Sequence, residues 1–217
     1  MLENKNRIDI ENNTIEIKYL ALGDSYTIGE GEKSENSYPL QVVELLGREG
    51  FSFSNTKIVA KTGWTSGELL EAVEKENIIP NAFDFASLLI GVNNQYKGQP
   101  LEQFKADLAK LIEITLPYVG HQKDKLVLIS IPDWGVTSFG QSGIRPTDQI
   151  AKEIDAYNEV VRLEALAYGL SFINVTDSYR NRGGISENMV ADGLHPSRFI
   201  YREWAFFISE KIKESVK

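Results

Sequence analysis

The chain has 217 residues, of which 42% are hydrophobic and 25% are charged, and its formal net charge at pH 7 is −8. This composition is typical of a globular domain, and an acidic surface argues against a binder of nucleic-acid phosphates. The absence of cysteine excludes disulfides, a thiol nucleophile and zinc sites built on thiolates.

The sequence also gives expectations about membrane spans, domain organisation and localisation. The first residues are polar, and no run of about 18 apolar residues occurs, so we expect no transmembrane helix. We expect residues 1–217 to form one domain, with residues 1–14 as a loosely ordered segment. The chain as given is predicted to be cytoplasmic, or exported if a leader peptide was removed before the first residue.

Strands and helices are predicted to alternate along the chain. Short apolar runs predict five strands, at Ile15–Leu22, Thr56–Ala60, Phe85–Ile90, Lys125–Ile131 and Leu170–Val175. Amphipathic segments predict five helices, at Ser37–Arg48, Ser66–Glu76, Leu101–Val119, Asp148–Tyr168 and Phe199–Ile212. Ser66 is the expected N-cap of the second helix, and Pro117 is expected in the last turn of the third. The alternation indicates an α/β fold in which helices cover both faces of a parallel sheet of about five strands.

Ligands of such sheets bind beyond the carboxyl ends of the strands, which draws attention to Ser25. It follows the first strand, so its hydroxyl could face a cleft, although a serine in this place could equally be a helix cap. The surrounding sequence is neither Gly-x-Ser-x-Gly nor a glycine-rich phosphate loop. The sequence therefore lacks the motif of the α/β-hydrolase nucleophile elbow and the motifs of the usual nucleotide-binding sites.

Two histidines occur in the chain. His121 lies in a polar connection and is expected at the surface. His195 follows Asp192 by three residues and precedes Pro196, which holds the preceding backbone extended. A tight turn there could bring the Asp192 carboxylate to Nδ1 of the imidazole and make His195 a general base. A surface capping turn explains the same spacing.

Acyl transfer also needs hydrogen-bond donors for an oxyanion. Gly63 follows the second strand and Asn93 the third, where a glycine N–H and a side-chain amide could serve. Either residue alone is more often a turn former. What favours function is that Ser25, Gly63, Asn93 and His195 all map to one edge of the sheet.

These segments resemble the GDSL-type, or SGNH, hydrolases. The resemblance rests on four blocks in family order, Gly23-Asp24-Ser25-Tyr26, Gly63, Gly91-Val92-Asn93-Asn94 and Asp192-Gly193-Leu194-His195-Pro196. It implies a three-layer α/β/α sandwich of flavodoxin-like type that needs no metal or organic cofactor.

The resemblance also implies residue roles. Ser25 is the nucleophile, His195 the general base and Asp192 its orienting partner, while the Ser25 and Gly63 N–H groups and the Asn93 amide hold the oxyanion. Asn94 departs from the family, which usually carries Asp there, so the resemblance implies no role for the Asn94 side chain. Asp24 is interpreted as a structural acceptor for backbone N–H groups.

The sequence specifies the reaction better than the substrate. Aromatic residues are expected along the proposed cleft as an acyl pocket, as a platform for sugar rings, or as ordinary packing: Tyr26, Trp64, Tyr96, Trp134 and Phe139. Arg145 is the one basic candidate nearby. The first hypothesis is an esterase acting on small or carbohydrate-linked acyl groups of a small-molecule substrate. The alternatives are a lysophospholipase or thioesterase, and a non-catalytic carbohydrate-binding module on the same scaffold.

Overall fold

The computed structural model describes residues 15–216, and the expected loose segment at residues 1–14 lies outside this range. One parallel sheet with the strand order β2-β1-β3-β4-β5 organises the fold, as in flavodoxin-like proteins. Its strands are Glu16–Gly23 (β1), Ser52–Ala60 (β2), Phe85–Leu89 (β3), Leu126–Ile129 (β4) and Ser171–Ile173 (β5). The predicted α/β class and parallel sheet are therefore confirmed.

The described α-helices follow the strands in the expected alternation. They are Ser25–Ile28 (α1), Tyr38–Arg48 (α2), Ser66–Lys75 (α3), Val92–Tyr96 (α4), Leu101–Thr115 (α5), Ser138–Ser142 (α6), Thr147–Tyr168 (α7), Thr176–Arg182 (α8) and Arg198–Ser215 (α9). Helix α2 packs on α9, while α5 packs on both α3 and α7, so helices flank the sheet in two groups. None of the described helices is long and apolar enough to cross a membrane.

Burial explains which strands were easiest to predict. Every residue of β3 and β4 is buried, as is typical of central parallel strands. Strand β2 lies at the sheet edge and is mostly half-buried. It begins at Ser52 rather than at Thr56, because it pairs with β1 from Glu16 onward.

Two further local predictions are wrong. The helix predicted for Leu101–Val119 ends as an α-helix at Thr115, and a 3₁₀ turn over Leu116–Val119 follows, since Pro117 cannot supply a backbone donor. The N-cap of α3 is Thr65 and not Ser66. Thr65 accepts the Glu68 N–H, and the Glu68 carboxylate accepts the Thr65 N–H, which is a complete capping box.

Candidate active site

Ser25 lies directly beyond the carboxyl end of β1, where the chain turns sharply into α1. Asp24 caps this helix, its Oδ1 accepting the Tyr26 N–H at 3.0 Å, as the structural interpretation of Asp24 expects. The turn leaves no room for a side chain at position 23. A Cβ on Gly23 would lie 2.1 Å from Thr27 Oγ1 and 2.4 Å from the Leu89 carbonyl oxygen. The buried Ser25 hydroxyl is thus held on a tightly packed turn.

The predicted tight turn around Asp192 is present. The Val190 N–H donates to the His195 carbonyl and the Gly193 N–H donates back to the Val190 carbonyl, both at 3.0 Å. Gly193 has a φ of +69°, which glycine adopts without strain. Asp192 Oδ1 accepts the N–H groups of Leu194 at 2.8 Å and His195 at 3.0 Å. These bonds fix the carboxylate beside the imidazole.

A chain of two hydrogen bonds links the three predicted catalytic residues. His195 Nδ1 lies 2.6 Å from Asp192 Oδ2, and His195 Nε2 lies 2.9 Å from Ser25 Oγ. Partial burial raises the pKa of Asp192, but the hydrogen bonds from the His195 ring and from the two N–H groups outweigh it and lower the pKa overall. An ionised Asp192 favours a proton on Nδ1, which leaves Nε2 free to accept the Ser25 hydroxyl proton.

The three predicted oxyanion donors lie around the same cavity as the serine. The Ser25 N–H is the first of α1 and has no acceptor within the helix. Gly63 has a φ of +82° with open space where a Cβ would be. Asn93 Nδ2 donates to the Trp64 carbonyl at 3.0 Å and makes a longer contact of 3.4 Å with Asp24 Oδ2.

The cavity has a volume of about 210 Å³. Its lining comprises Ser25, Tyr26, Thr62, Gly63, Val92, Asn93, Tyr96, Trp134, Phe139, Leu194 and His195. Four of the five predicted aromatics are therefore in place. The exception is Trp64, which the structure puts outside this lining, partly buried against the core. Sequence reasoning missed Thr62, Val92 and Leu194, although each is an immediate neighbour of a motif residue.

The GDSL-like lipase/acylhydrolase family matches this chain over residues 21–202. The chain belongs to this family. It is accordingly a carboxylic ester hydrolase of the GDSL-like class. No curated protein sequence matches it.

Several solved structures share the GDSL-like fold of this chain. A lipase/acylhydrolase from Enterococcus faecalis has a TM-score of 0.73 and 22% identity, covering 91% of this chain and 95% of that chain. TesA has a TM-score of 0.70 and 18% identity, covering 91% of this chain and 99% of that chain. An acetylxylan esterase from Geobacillus stearothermophilus has a TM-score of 0.64 and 22% identity, covering 92% of this chain and 95% of that chain. At these identities the likeness concerns the fold.

One wall of the GDSL-like cavity is an aromatic cluster of Tyr96, Trp134 and Phe139. Their ring centroids lie 5.3 to 6.4 Å apart, and Trp134 Nε1 donates to Gln95 Oε1 at 2.7 Å. Beyond the cluster is a second cavity of about 370 Å³, which the same three rings line together with Gly143, Ile144 and Arg145. The cluster therefore lines both cavities, and its Tyr96 and Phe139 rings are partly exposed to solvent.

Arg145 is held against this cluster. Its guanidinium carbon lies 5.9 Å from the ring centroids of both Tyr96 and Trp134, within cation–π range. Nη2 donates to the Tyr96 carbonyl at 3.1 Å, and Nη1 lies 3.5 Å from the Glu153 carboxylate. Arg145 therefore has partners on the protein already, and it braces the aromatic wall.

Asp24 is an unusual carboxylic acid beneath the site. It is fully buried, and this burial raises its pKa from 3.8 to about 7, although the hydrogen bonds from the Tyr26 N–H and the Asn93 amide counteract the rise.

His121, the other histidine, lies at the surface with a φ of +58°. Within residues 15–216 no three His, Asp or Glu side chains form a group that could hold a metal ion.

Proposed function

We propose that this GDSL-like hydrolase cleaves esters of small or carbohydrate-linked acyl groups through a covalent acyl-Ser25 intermediate. The observation that carries the proposal is the continuous hydrogen-bonded path from Ser25 Oγ through His195 to Asp192, with distances of 2.9 and 2.6 Å. A capping role for Ser25 does not require such a path. The combination is the one expected for a serine activated by an oriented base.

In the first half of the reaction, Ser25 Oγ attacks the ester carbonyl carbon while His195 Nε2 takes the hydroxyl proton. Asp192 stabilises the imidazolium that forms. The carbonyl π electrons move to oxygen, giving a tetrahedral oxyanion. When the carbonyl re-forms, the bond to the alcohol oxygen breaks, and His195 returns the proton to the departing alcohol. Water repeats the sequence on the acyl-enzyme and releases the acid.

The oxyanion is held by the Ser25 N–H, the Gly63 N–H and the Asn93 side chain. Of the two Asn93 amide hydrogens, the one directed at Asp24 makes the longer and weaker hydrogen bond, with 3.4 Å between Nδ2 and Oδ2. That hydrogen is the one available to the oxyanion. The other stays on the Trp64 carbonyl at 3.0 Å and keeps the amide in place.

The space beside Ser25 supports the proposed substrate class. A cavity of about 210 Å³ is below the roughly 300 Å³ at which pockets for drug-sized ligands begin, so it suits a short acyl group. The exposed faces of Tyr96 and Phe139 offer aromatic surface of the kind on which sugar rings stack. The structural neighbour named as an acetylxylan esterase supports an acetylated carbohydrate as the first substrate to test.

One observation favours the lysophospholipase or thioesterase alternative, which requires space for a longer chain. The second cavity of about 370 Å³ shares three rings with the first and adds Ile144. The non-catalytic module has less support, since Ser25, Asp192 and His195 are all present and bonded to one another.

The test is a series of p-nitrophenyl esters of increasing acyl length, run beside acetylated xylo-oligosaccharides. We expect the acetate or butyrate ester to give the highest kcat/KM, and a maximum at octanoate or beyond would favour the long-chain alternative. Ser25→Ala is expected to lower kcat by roughly 10⁴-fold or more. His121→Ala, the matched control at the surface, should retain wild-type turnover. Wild-type turnover in Ser25→Ala would disprove the nucleophile assignment.

A further inference from the structure

A buried amide, Asn94, connects the two segments that carry the proposed oxyanion donors. Asn94 Oδ1 accepts the Ser66 N–H at 2.9 Å, and Asn94 Nδ2 donates to Ser66 Oγ at 2.7 Å. Ser66 is the first residue of α3, three residues after Gly63, and Asn94 directly follows Asn93. One side chain therefore joins the segment of Gly63 to the segment of Asn93 with two hydrogen bonds.

The direction of these hydrogen bonds is fixed by a buried acid. Because Ser66 Oγ accepts from Asn94, its own hydrogen is free to go to Asp107 Oδ2, at 2.8 Å. The other oxygen of Asp107 accepts from Gln103 Nε2 at 2.7 Å. The remaining amide hydrogen of Asn94 goes to Gln99 Oε1 at 2.8 Å. Asn94, Ser66 and Asp107 are all buried, so each lost bond would leave a group without water as a substitute.

We propose that Asn94 is a positioning residue that sets the spacing of the Gly63 and Asn93 donors, and that its amide form is matched to the acid Asp107. The inference rests on the proposed function. An aspartate at position 94 could accept the Ser66 N–H but could donate nothing to Ser66 Oγ. Two carboxylates would then compete for one hydroxyl hydrogen, and one of them would be buried without that donor. The amide at 94, where related enzymes usually carry an acid, is explained by the acid at 107.

If the amide at position 94 is matched to the acid at position 107, exchanging the two side chains should restore what the single substitution loses. In Asn94→Asp the Ser66 hydroxyl turns toward one acid and the connection between the two segments loosens. A displacement of about 1 Å in a catalytic group can cost on the order of 100-fold in rate. We expect kcat for p-nitrophenyl acetate to fall about 10- to 100-fold, with KM within about threefold of wild type, because the donors act on the transition state. In Asn94→Asp/Asp107→Asn the donor returns from position 107, and kcat should recover to within about threefold.

Asn158→Asp is the matched control. Asn158 also joins two segments through partly buried contacts, accepting the Ile131 N–H at 2.7 Å and donating to Thr176 Oγ1 at 2.9 Å. It lies outside the cavity lining. We expect this variant to lose stability in urea denaturation but to keep a kcat within about threefold of wild type. Inhibition by phenylboronic acid, which forms a tetrahedral adduct with a serine nucleophile, should weaken in Asn94→Asp and remain unchanged in Asn158→Asp.

The possible results separate cleanly. Wild-type kcat in Asn94→Asp, or a loss that Asp107→Asn does not reverse, overturns the inference while leaving the proposed function intact. If Asn94→Asp does not fold, the double variant is still expected to fold and turn over substrate, and its failure overturns the inference. An active Ser25→Ala, by contrast, overturns the proposed function itself.

Discussion

Replacing the buried Asp24 with asparagine tests how the fold tolerates an acid beneath its active site. In the folded protein, burial raises the pKa of Asp24 to about 7 from an ordinary value of 3.8. The folded chain therefore keeps its proton between those two pH values, whereas the unfolded chain loses it. Since the folded state then binds more protons than the unfolded state, the free energy of unfolding falls as pH rises from about 4 to about 7.

The size of this fall follows from the two pKa values. Each pKa unit corresponds to about 1.4 kcal/mol, so a difference of about three units amounts to about 4 kcal/mol. That is a large part of the roughly 5–15 kcal/mol by which domains are stable. Below the lower pKa the contribution of Asp24 is unaffected by pH, and above about 7 the loss is complete and levels off.

The assay is urea denaturation of wild type and Asp24→Asn at pH 5, 6, 7 and 8. Asparagine keeps an oxygen that accepts the Tyr26 N–H. Its NH₂ group would face the NH₂ group of Asn93, and the resulting loss of stability does not vary with pH because neither amide titrates. We expect the difference in unfolding free energy to shift in favour of the variant by about 2–3 kcal/mol between pH 5 and 8. Parallel pH profiles for the two proteins would refute the reasoning, whatever their absolute stabilities.

Three further substitutions test other parts of the structure. Phe139→Ala removes a ring that lines both cavities, so the ratio of kcat/KM for hexanoate over acetate esters should rise about tenfold, and an unchanged ratio would contradict this. Tyr201→Phe removes a hydroxyl that, among the described residues, is buried without a hydrogen-bond partner, so thermal denaturation should show unchanged or higher stability by up to about 1 kcal/mol. A clear loss there would mean that the hydroxyl has a partner. Thr65→Ala removes the capping oxygen from the Glu68 N–H and should cost about 1 kcal/mol in urea denaturation, and an unchanged free energy of unfolding would contradict the cap.

Much of the fold could be predicted because the information is local. Strands β3 and β4 are continuous apolar runs in the sequence, and the longer helices show a clear periodicity. The edge strand β2 was predicted too short, since residues such as Ser52 and Asn55 are strand residues only through pairing with β1. Helices of four to seven residues, such as Ser25–Ile28 and Thr176–Arg182, were not predicted, because they span too few turns to show a period.

The candidate site divides in the same way. The Asp192–His195 contact depends on a three-residue spacing and could be predicted, as could the placement of Ser25 after a buried strand. The N-cap of α3 could have been predicted too, because Glu68 follows Thr65 by the three residues of a capping box. The Asn94–Ser66–Asp107 connection could not, since it joins residues 28 and 41 positions apart through hydrogen bonds to side chains. The packing of Trp64 against the core, outside the cavity lining, likewise depends on tertiary contacts.

The bond between Ser25 and His195 joins residues 170 positions apart, one in the first turn after β1 and the other in the last turn before α9. On the proposed function, a nascent chain can hydrolyse no ester until the segment that carries His195 has been synthesised and has reached Ser25. Hydrolysis of a fluorogenic ester would therefore report the moment during translation at which the His195 segment docks beside the turn after β1.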